Sequence, residues 1–370
     1  MASTWFERAG GLDLTVSIAD CTNMYAVCED SRSHPSAILF DTLLSYSTRW
    51  KELRFDSRFG NVRSAPMIRI AALTAVEVPL LQSVSFRLDD CLHQNPPLHH
   101  SGLLKIPTLK CVKLEARHMD MFTVDWANLT SITLRGILDI DEWLSKSDIT
   151  RILQKTKCLV FCDIAVHLGD LQEHYPNISL PCLKTLIVNE KTCSSATSGA
   201  PSIIDLITAP LLEILEMHGQ AFVNYTDFFK RSPHIWKLSF PYFDKDKSLT
   251  DTMEFLSHCP SLAVLSLWPS DWNMDTDDAN IFLRAFVEGD AGVICPRLQE
   301  FQLTGMIDLS LQTLLLFLEG KQGDIPTLNV SPWKKVIIDI SGIKDTEARQ
   351  QVVDFVFQKR AAGLNIRAKE

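Results

Sequence analysis

The chain has 370 residues, 46% hydrophobic and 22% charged, which is enough apolar material for a large core and too much for general disorder. A formal net charge of -9 without a dense Lys/Arg run argues against a nucleic-acid binder, which needs a basic stripe to displace phosphate counterions. No apolar stretch reaches the roughly 18 to 20 residues that span a bilayer, and no basic segment followed by an apolar core opens the chain, so no membrane role is expected.

Cysteine usage places the chain in a compartment. Ten cysteines stand singly, mostly in apolar runs, as small buried hydrophobes do under reducing conditions. An intracellular protein of the cytoplasm or nucleus is expected.

Taken in order, the chain opens with Trp5, Phe6 and a Gly10-Gly11 step, and then Leu12, Leu14, Val16 and Ile18 alternate at the period of a half-buried strand. From there one phrase recurs: Pro, any residue, apolar, two variable, apolar, one variable, apolar. It reads PLLQSVSF at 79 to 86, PTLKCVKL at 107 to 114, PCLKTLIV at 181 to 188 and PLLEILEM at 210 to 217. It returns as PHIWKLSF at 233 to 240, PSLAVLSL at 260 to 267 and PRLQEFQL at 296 to 303. Versions without the proline begin at Trp50, Leu129, Leu159 and Trp333. The first apolar positions fall at 50, 81, 109, 129, 159, 183, 212, 235, 262, 298 and 333, a mean spacing of about 28 residues. Such a period is that of leucine-rich repeats, in which each unit is a strand plus a return segment.

A single strand of this kind cannot bury its apolar face alone; stacked parallel copies bury a continuous core. Helical returns are predicted over 37–46, 149–155, 203–207, 252–257, 280–288, 309–319 and 347–363. In the last two, Leu311, Leu314, Leu315 and Leu318, then Val352, Val353, Phe355 and Val356, form apolar faces. The expectation is an α/β fold: an irregular leucine-rich-repeat solenoid, a curved parallel sheet with helices and loops on the convex side. It would be one array of about eleven to twelve units over 1–370. Regular arrays place Asn or Cys in the turn after the strand; here those positions hold residues such as Arg117, Ile137, His167 and Lys191, so irregular turns are expected. The recurrent proline reads as a strand entrance, since it restrains the preceding residue to extended geometry.

Chemical motifs are sparse. Asp271, Asn273, Asp275 and Asp277 imitate the start of a calcium loop, but Thr276 stands where glycine is needed and Phe282 where a bidentate Glu should be. Cys158, Cys162 and His167 lack the second ligand pair of a zinc site, and His99-His100 has no nominated partners. No nucleophile elbow, phosphate-cradling glycine loop or His-Glu-x-x-His is present. We therefore expect no enzyme, no catalytic residues, no metal and no cofactor. The better candidate is a surface: between the core positions of each strand lie Arg87, Lys113, Glu115, Thr133, Arg135, Glu216, His218, Lys237, Trp268, Gln302 and Thr304. Mixed charge with a Trp suits recognition of a protein partner on the concave face.

These phrases have a familiar set. Trp5-Phe-Glu-Arg-Ala-Gly, Arg49-Trp50-Lys-Glu-Leu, Ala209-Pro-Leu-Leu-Glu, Lys230-Arg-Ser-Pro and Cys295-Pro-Arg-Leu resemble the F-box/leucine-rich-repeat proteins of mushroom-forming fungi, in order along nearly the whole chain. The resemblance implies an adaptor whose F-box docks on a cullin-RING ubiquitin ligase and whose repeats present substrates. The chain departs from the family at its start: no separate F-box domain is recognised, and Ala26-Val-Cys28-Glu-Asp-Ser-Arg32 echoes only its close. Binding of ligase subunits is therefore expected only if an F-box is encoded upstream, and the sequence reads as resuming a longer design. The alternative is a free-standing leucine-rich-repeat binding protein with no ubiquitin role.

Overall fold

The computed structural model describes residues 2–20, 35–57, 65–88, 101–116, 122–136, 144–168, 175–192, 202–219, 225–242, 249–269, 276–288, 294–305, 309–321, 330–343 and 345–369. The chain divides into two compact units, Met1–Pro181 with Cys193–Ala196, and Cys182–Thr192 with Thr197–Glu370.

In unit 1 the elements run α1 (Ala2–Arg8), β1 (Leu14–Asp20), α2 (Pro35–Ser45), β2 (Trp50–Ser57), α3 (Ala65–Ala71), β3 (Ser83–Leu88), β4 (Cys111–Ala116), β5 (Ser131–Arg135), β6 (Leu144–Ser145), α4 (Lys146–Leu153), β7 (Phe161–Leu168) and β8 (Ile178–Ser179). Strands β1, β2, β3, β4, β5 and β7 pair side by side, all parallel, with the short β6 joined to β7. Unit 2 continues with β9 (Thr185–Thr192), β10 (Ile207–Thr208), β11 (Ile214–Gly219), α5 (Tyr225–Arg231), β12 (Lys237–Tyr242), α6 (Leu249–Leu256), β13 (Val264–Pro269), α7 (Thr276–Arg284), β14 (Glu300–Leu303), α8 (Leu311–Glu319), β15 (Lys335–Asp339), α9 (Thr346–Ala361) and β16 (Asn365–Lys369). Here β9, β11, β12, β13, β14, β15 and β16 form the parallel sheet. Seven sheet strands in each unit, in sequence order and with no closure into a barrel, give a mixed α/β architecture compatible with a repeat solenoid.

The recurrent phrase explains each strand. Its first apolar residue seals the turn, and the next two point to one side: Leu81, Val84 and Phe86, then Leu109, Val112 and Leu114, then Leu262, Leu265 and Leu267 are all buried. Helices supply the other half of the core. In unit 2, Phe286, Phe301 of β14, Phe317 of α8 and Trp333 pack in tilted and edge-on pairs with neighbouring centroids 4.9 to 6.2 Å apart. Fully burying one such ring contributes about 1.5–3 kcal/mol.

The proline has a more specific role than a strand entrance. Backbone bonds Leu81 N to Val78 O, Leu109 N to Ile106 O, Leu212 N to Ala209 O, Leu262 N to Cys259 O and Leu298 N to Cys295 O close a tight turn before the strand. Pro79, Pro107, Pro210, Pro260 and Pro296 occupy its second position, where a fixed φ favours the turn. Two residues later the chain makes a regular main-chain step. Lys110 and Cys111 both donate to Gln82 O, Thr130 and Ser131 to Lys110 O, and Val160 and Phe161 to Thr130 O. The same double donation joins Ala263 and Val264 to Trp236 O, and Gln299 and Glu300 to Ala263 O. The two variable positions of the phrase are thus the residues that hang each strand on the one before it.

The structure departs from the sequence expectation at the N-terminus. Trp5 and Phe6 belong to α1, the strand starts at Leu14, and Leu12 lies in the connecting turn, 71% exposed. The turn is fixed by Gly10, at φ 55, and by Arg49, which donates to the carbonyls of Phe6, Ala9 and Leu12 at 2.8 to 3.4 Å. The predicted return at 203–207 is a 3-10 turn, Ile204–Leu206, and α1, α3, α5 and β16 were not anticipated.

Candidate protein-binding faces

Ten of the eleven predicted surface residues lie on strands, on the side opposite the apolar ladder, and Thr304 follows the end of β14. In unit 1 the strand register sets Asp56 of β2 beside Arg87 of β3, Arg87 beside Glu115 of β4, and Glu115 beside Arg135 of β5. Charges alternate along this row and pair. Arg87 Nε is 3.6 Å from Glu115 Oε2, Lys113 Nζ is 2.8 Å from Glu115 Oε1, and Arg135 holds Asp163 of β7 with two donors, at 3.2 and 2.6 Å. Thr133 sits one layer below, between Lys113 and Asp163. Asp163 is buried, so its pairing with Arg135 is the least water-screened of these contacts. Asp163 and Asp56 were not anticipated, because a carboxylate at a variable position becomes a partner only once register is known.

In unit 2 the same face is built differently. Glu216 of β11, Ser239 of β12, Ser266 of β13 and Gln302 of β14 form one row. Glu216 Oε1 receives Lys237 Nζ at 2.6 Å. Above that row, toward the strand ends, His218 of β11 and Trp268 of β13 stack with centroids 5.1 Å apart and planes 24° from parallel. Trp268 is paired in register with Pro241 of β12, so the two rings meet from strands on either side of a proline. Gly219, at φ 118, follows His218; a Cβ there would overlap the carbonyl oxygen of Glu190 on β9, so only glycine lets β11 pass this point. Thr304 donates its N–H to Leu267 O beyond the end of β14 and takes no part in the stack. Register therefore brings together Arg87, Lys113 and Glu115 in one cluster, Glu216 with Lys237, and His218 with Trp268.

The remaining candidates resolve by placement. Cys162 faces the core while His167 lies on the opposite side of β7, and Cys158 is exposed in a turn, so these three share no site. Burial pushes the Cys162 thiol far up, which makes it inert. Residues 99 and 100, 26–32 and 271–275 lie outside the described residues. Among the described residues no group of three or more His, Cys, Asp or Glu could hold a metal ion. No helix there is long and apolar enough to cross a membrane. A buried cation stands apart from the faces: Lys321 Nζ donates to Cys295 O and Leu298 O at 3.4 and 3.1 Å and lies 4.5 Å over the Trp333 ring. Burial draws its pKa down from 10.5 to about 8, and the nearby Cys295 thiol is pushed up to about 12 by the same loss of water.

Comparison with known families and with curated proteins finds no match for this chain.

Proposed function

We propose that the chain is a leucine-rich-repeat recognition scaffold that binds another protein through the open faces of its parallel sheets. The observation that carries this reading is the contrast between a helix-covered apolar side and an opposite side bearing mixed charge, hydroxyls and the His218–Trp268 stack. Half-exposed Trp among polar groups is the composition of energetic centres in protein interfaces. Its resemblance to F-box/leucine-rich-repeat proteins supports a role as the substrate-recognition region of a ubiquitin ligase adaptor; the second reading is a free-standing scaffold with no ubiquitin role.

The test is affinity capture from an extract of the source organism with the full chain and with the combined Arg135→Ala, Glu216→Ala and Trp268→Ala variant, quantified by mass spectrometry. A defined set of proteins retained by the first and lost by the second is expected. Cullin-RING subunits within that set support the adaptor reading, and their absence supports the free-standing one. Identical capture by both chains overturns the proposal.

A further inference from the structure

On the open face of unit 2 the register sets two short side chains between two long ones, the outline of a trough. Ser239 and Ser266 are paired side by side, flanked by Glu216 on one neighbour strand and Gln302 on the other. The strands carrying those two long side chains are three spacings apart, about 14 Å; Ser239 is buried beside the Lys237–Glu216 pair, and Ser266, half-buried, is the accessible part of the floor. The His218–Trp268 stack closes one end, and Lys237 with Val264 the other. Neither serine hydroxyl has a hydrogen-bond partner among the described residues. Glu216 spends Oε1 on Lys237, and Oε2 has no partner there. Glu300, next to Val264 in register, makes no ion pair among the described residues, although Lys335 stands one strand beyond it. One face of the Trp268 indole is taken by His218; no other ring or cation among the described residues lies against it.

Resting on the recognition reading above, we infer that this trough receives an arginine side chain from a protein partner. The groups bordering it combine an aromatic face, four acceptors (two hydroxyls, an amide oxygen and a carboxylate oxygen) and two carboxylates against one ammonium, in a chain of net charge -9. A guanidinium matches all of these at once: it is a flat cation that stacks on indole and carries five N–H donors in a fixed plane. An acidic side chain would meet Glu216 and Glu300. An aliphatic one or a proline would cover the hydroxyls and the carboxylate while offering them no donor, and unpaired polar groups oppose burial. Lysine brings charge without the planar fork.

The experiment is selection of a random-peptide display library on the immobilised full chain, then titration of a labelled selected peptide. Enrichment of arginine at one fixed position is expected. Replacing that arginine by lysine weakens binding severalfold and replacing it by glutamate abolishes binding. Trp268→Leu and Glu216→Gln each weaken it by about tenfold, Ser266→Leu blocks it by filling the floor, and Arg151→Ala on α4, away from either sheet face, leaves it unchanged. Circular dichroism matching the parent chain shows that each variant is folded. Selected peptides without arginine, or arginine peptides indifferent to Trp268→Leu, Glu216→Gln and Ser266→Leu, overturn the inference and leave the recognition reading standing. An unenriched library together with unchanged capture by the combined variant removes both.

Discussion

The open faces of the two units spend their charges differently. In unit 1, Arg87, Lys113, Glu115, Arg135 and Asp163 are committed to one another along adjacent strands. Unit 2 pairs Glu216 with Lys237 and otherwise displays hydroxyls, an amide and a ring stack. A face whose ions are already matched gains little from a charged visitor, because each new contact must displace an existing one. A face with unspent acceptors next to an aromatic surface has interaction capacity in reserve. Strand order is identical in kind, so the difference lies entirely in which residues occupy the variable positions.

This contrast can be broken by measurement, beginning with the change of largest expected effect. Gly219→Ala places a side chain at a positive φ and against Glu190 O, which should destabilise the protein by about 3 kcal/mol or more in urea unfolding and displace His218 from Trp268. A cost below about 1 kcal/mol would show that β11 can shift, and the stack would then be loosely held.

Lys321 sharpens the comparison from the interior, since this cation has backbone carbonyls where unit 1 cations have carboxylates. Its folded pKa, about 8, lies below the ordinary 10.5, so the native state disfavours the charged form. Between those values the unfolded chain binds more protons, and stability rises with pH; below about pH 8 the full penalty is present. Relative to Lys321→Met, the parent chain should gain roughly 2–3 kcal/mol between pH 7.5 and 10.5. A parallel pH dependence in both proteins would mean that the amine is hydrated.

Asp163→Asn leaves Arg135 with a weaker acceptor beside the sheet and should cost about 1–2 kcal/mol, with little change in partner binding. Trp268→Leu should show the opposite pattern: a stability change within about 0.5 kcal/mol and a large loss of binding. Should Asp163→Asn abolish binding and Trp268→Leu not, the assignment of the two faces is reversed.

How much of this was readable beforehand follows from what a pattern can encode. The phrase located eleven of the strands because its apolar positions are fixed by the need to bury one face, and the same alternation put ten of the eleven surface candidates on the opposite side of a strand, Thr304 falling just past the end of β14. β16 escaped because Ile366 is its one buried apolar residue, and α5 because its buried Phe228–Phe229 pair shows no helical period in seven residues. The site was readable as a set of positions and not as an arrangement. Arg135 with Asp163 and His218 with Trp268 are joined across 28 and 50 residues by register alone, and the Ser239–Ser266 floor is unremarkable until its neighbours are known to be long.

Arg49 carries a last consequence. Its guanidinium gathers the carbonyls of Phe6, Ala9 and Leu12, and its head lies 5.9 Å from the Tyr46 ring on which Phe6 stacks. Arg49 is therefore a latch between the first helix and the start of β2. Opening that latch leaves the ladder between β1 and β2 intact, so loosening of the helix end and yielding of the sheet are separable steps.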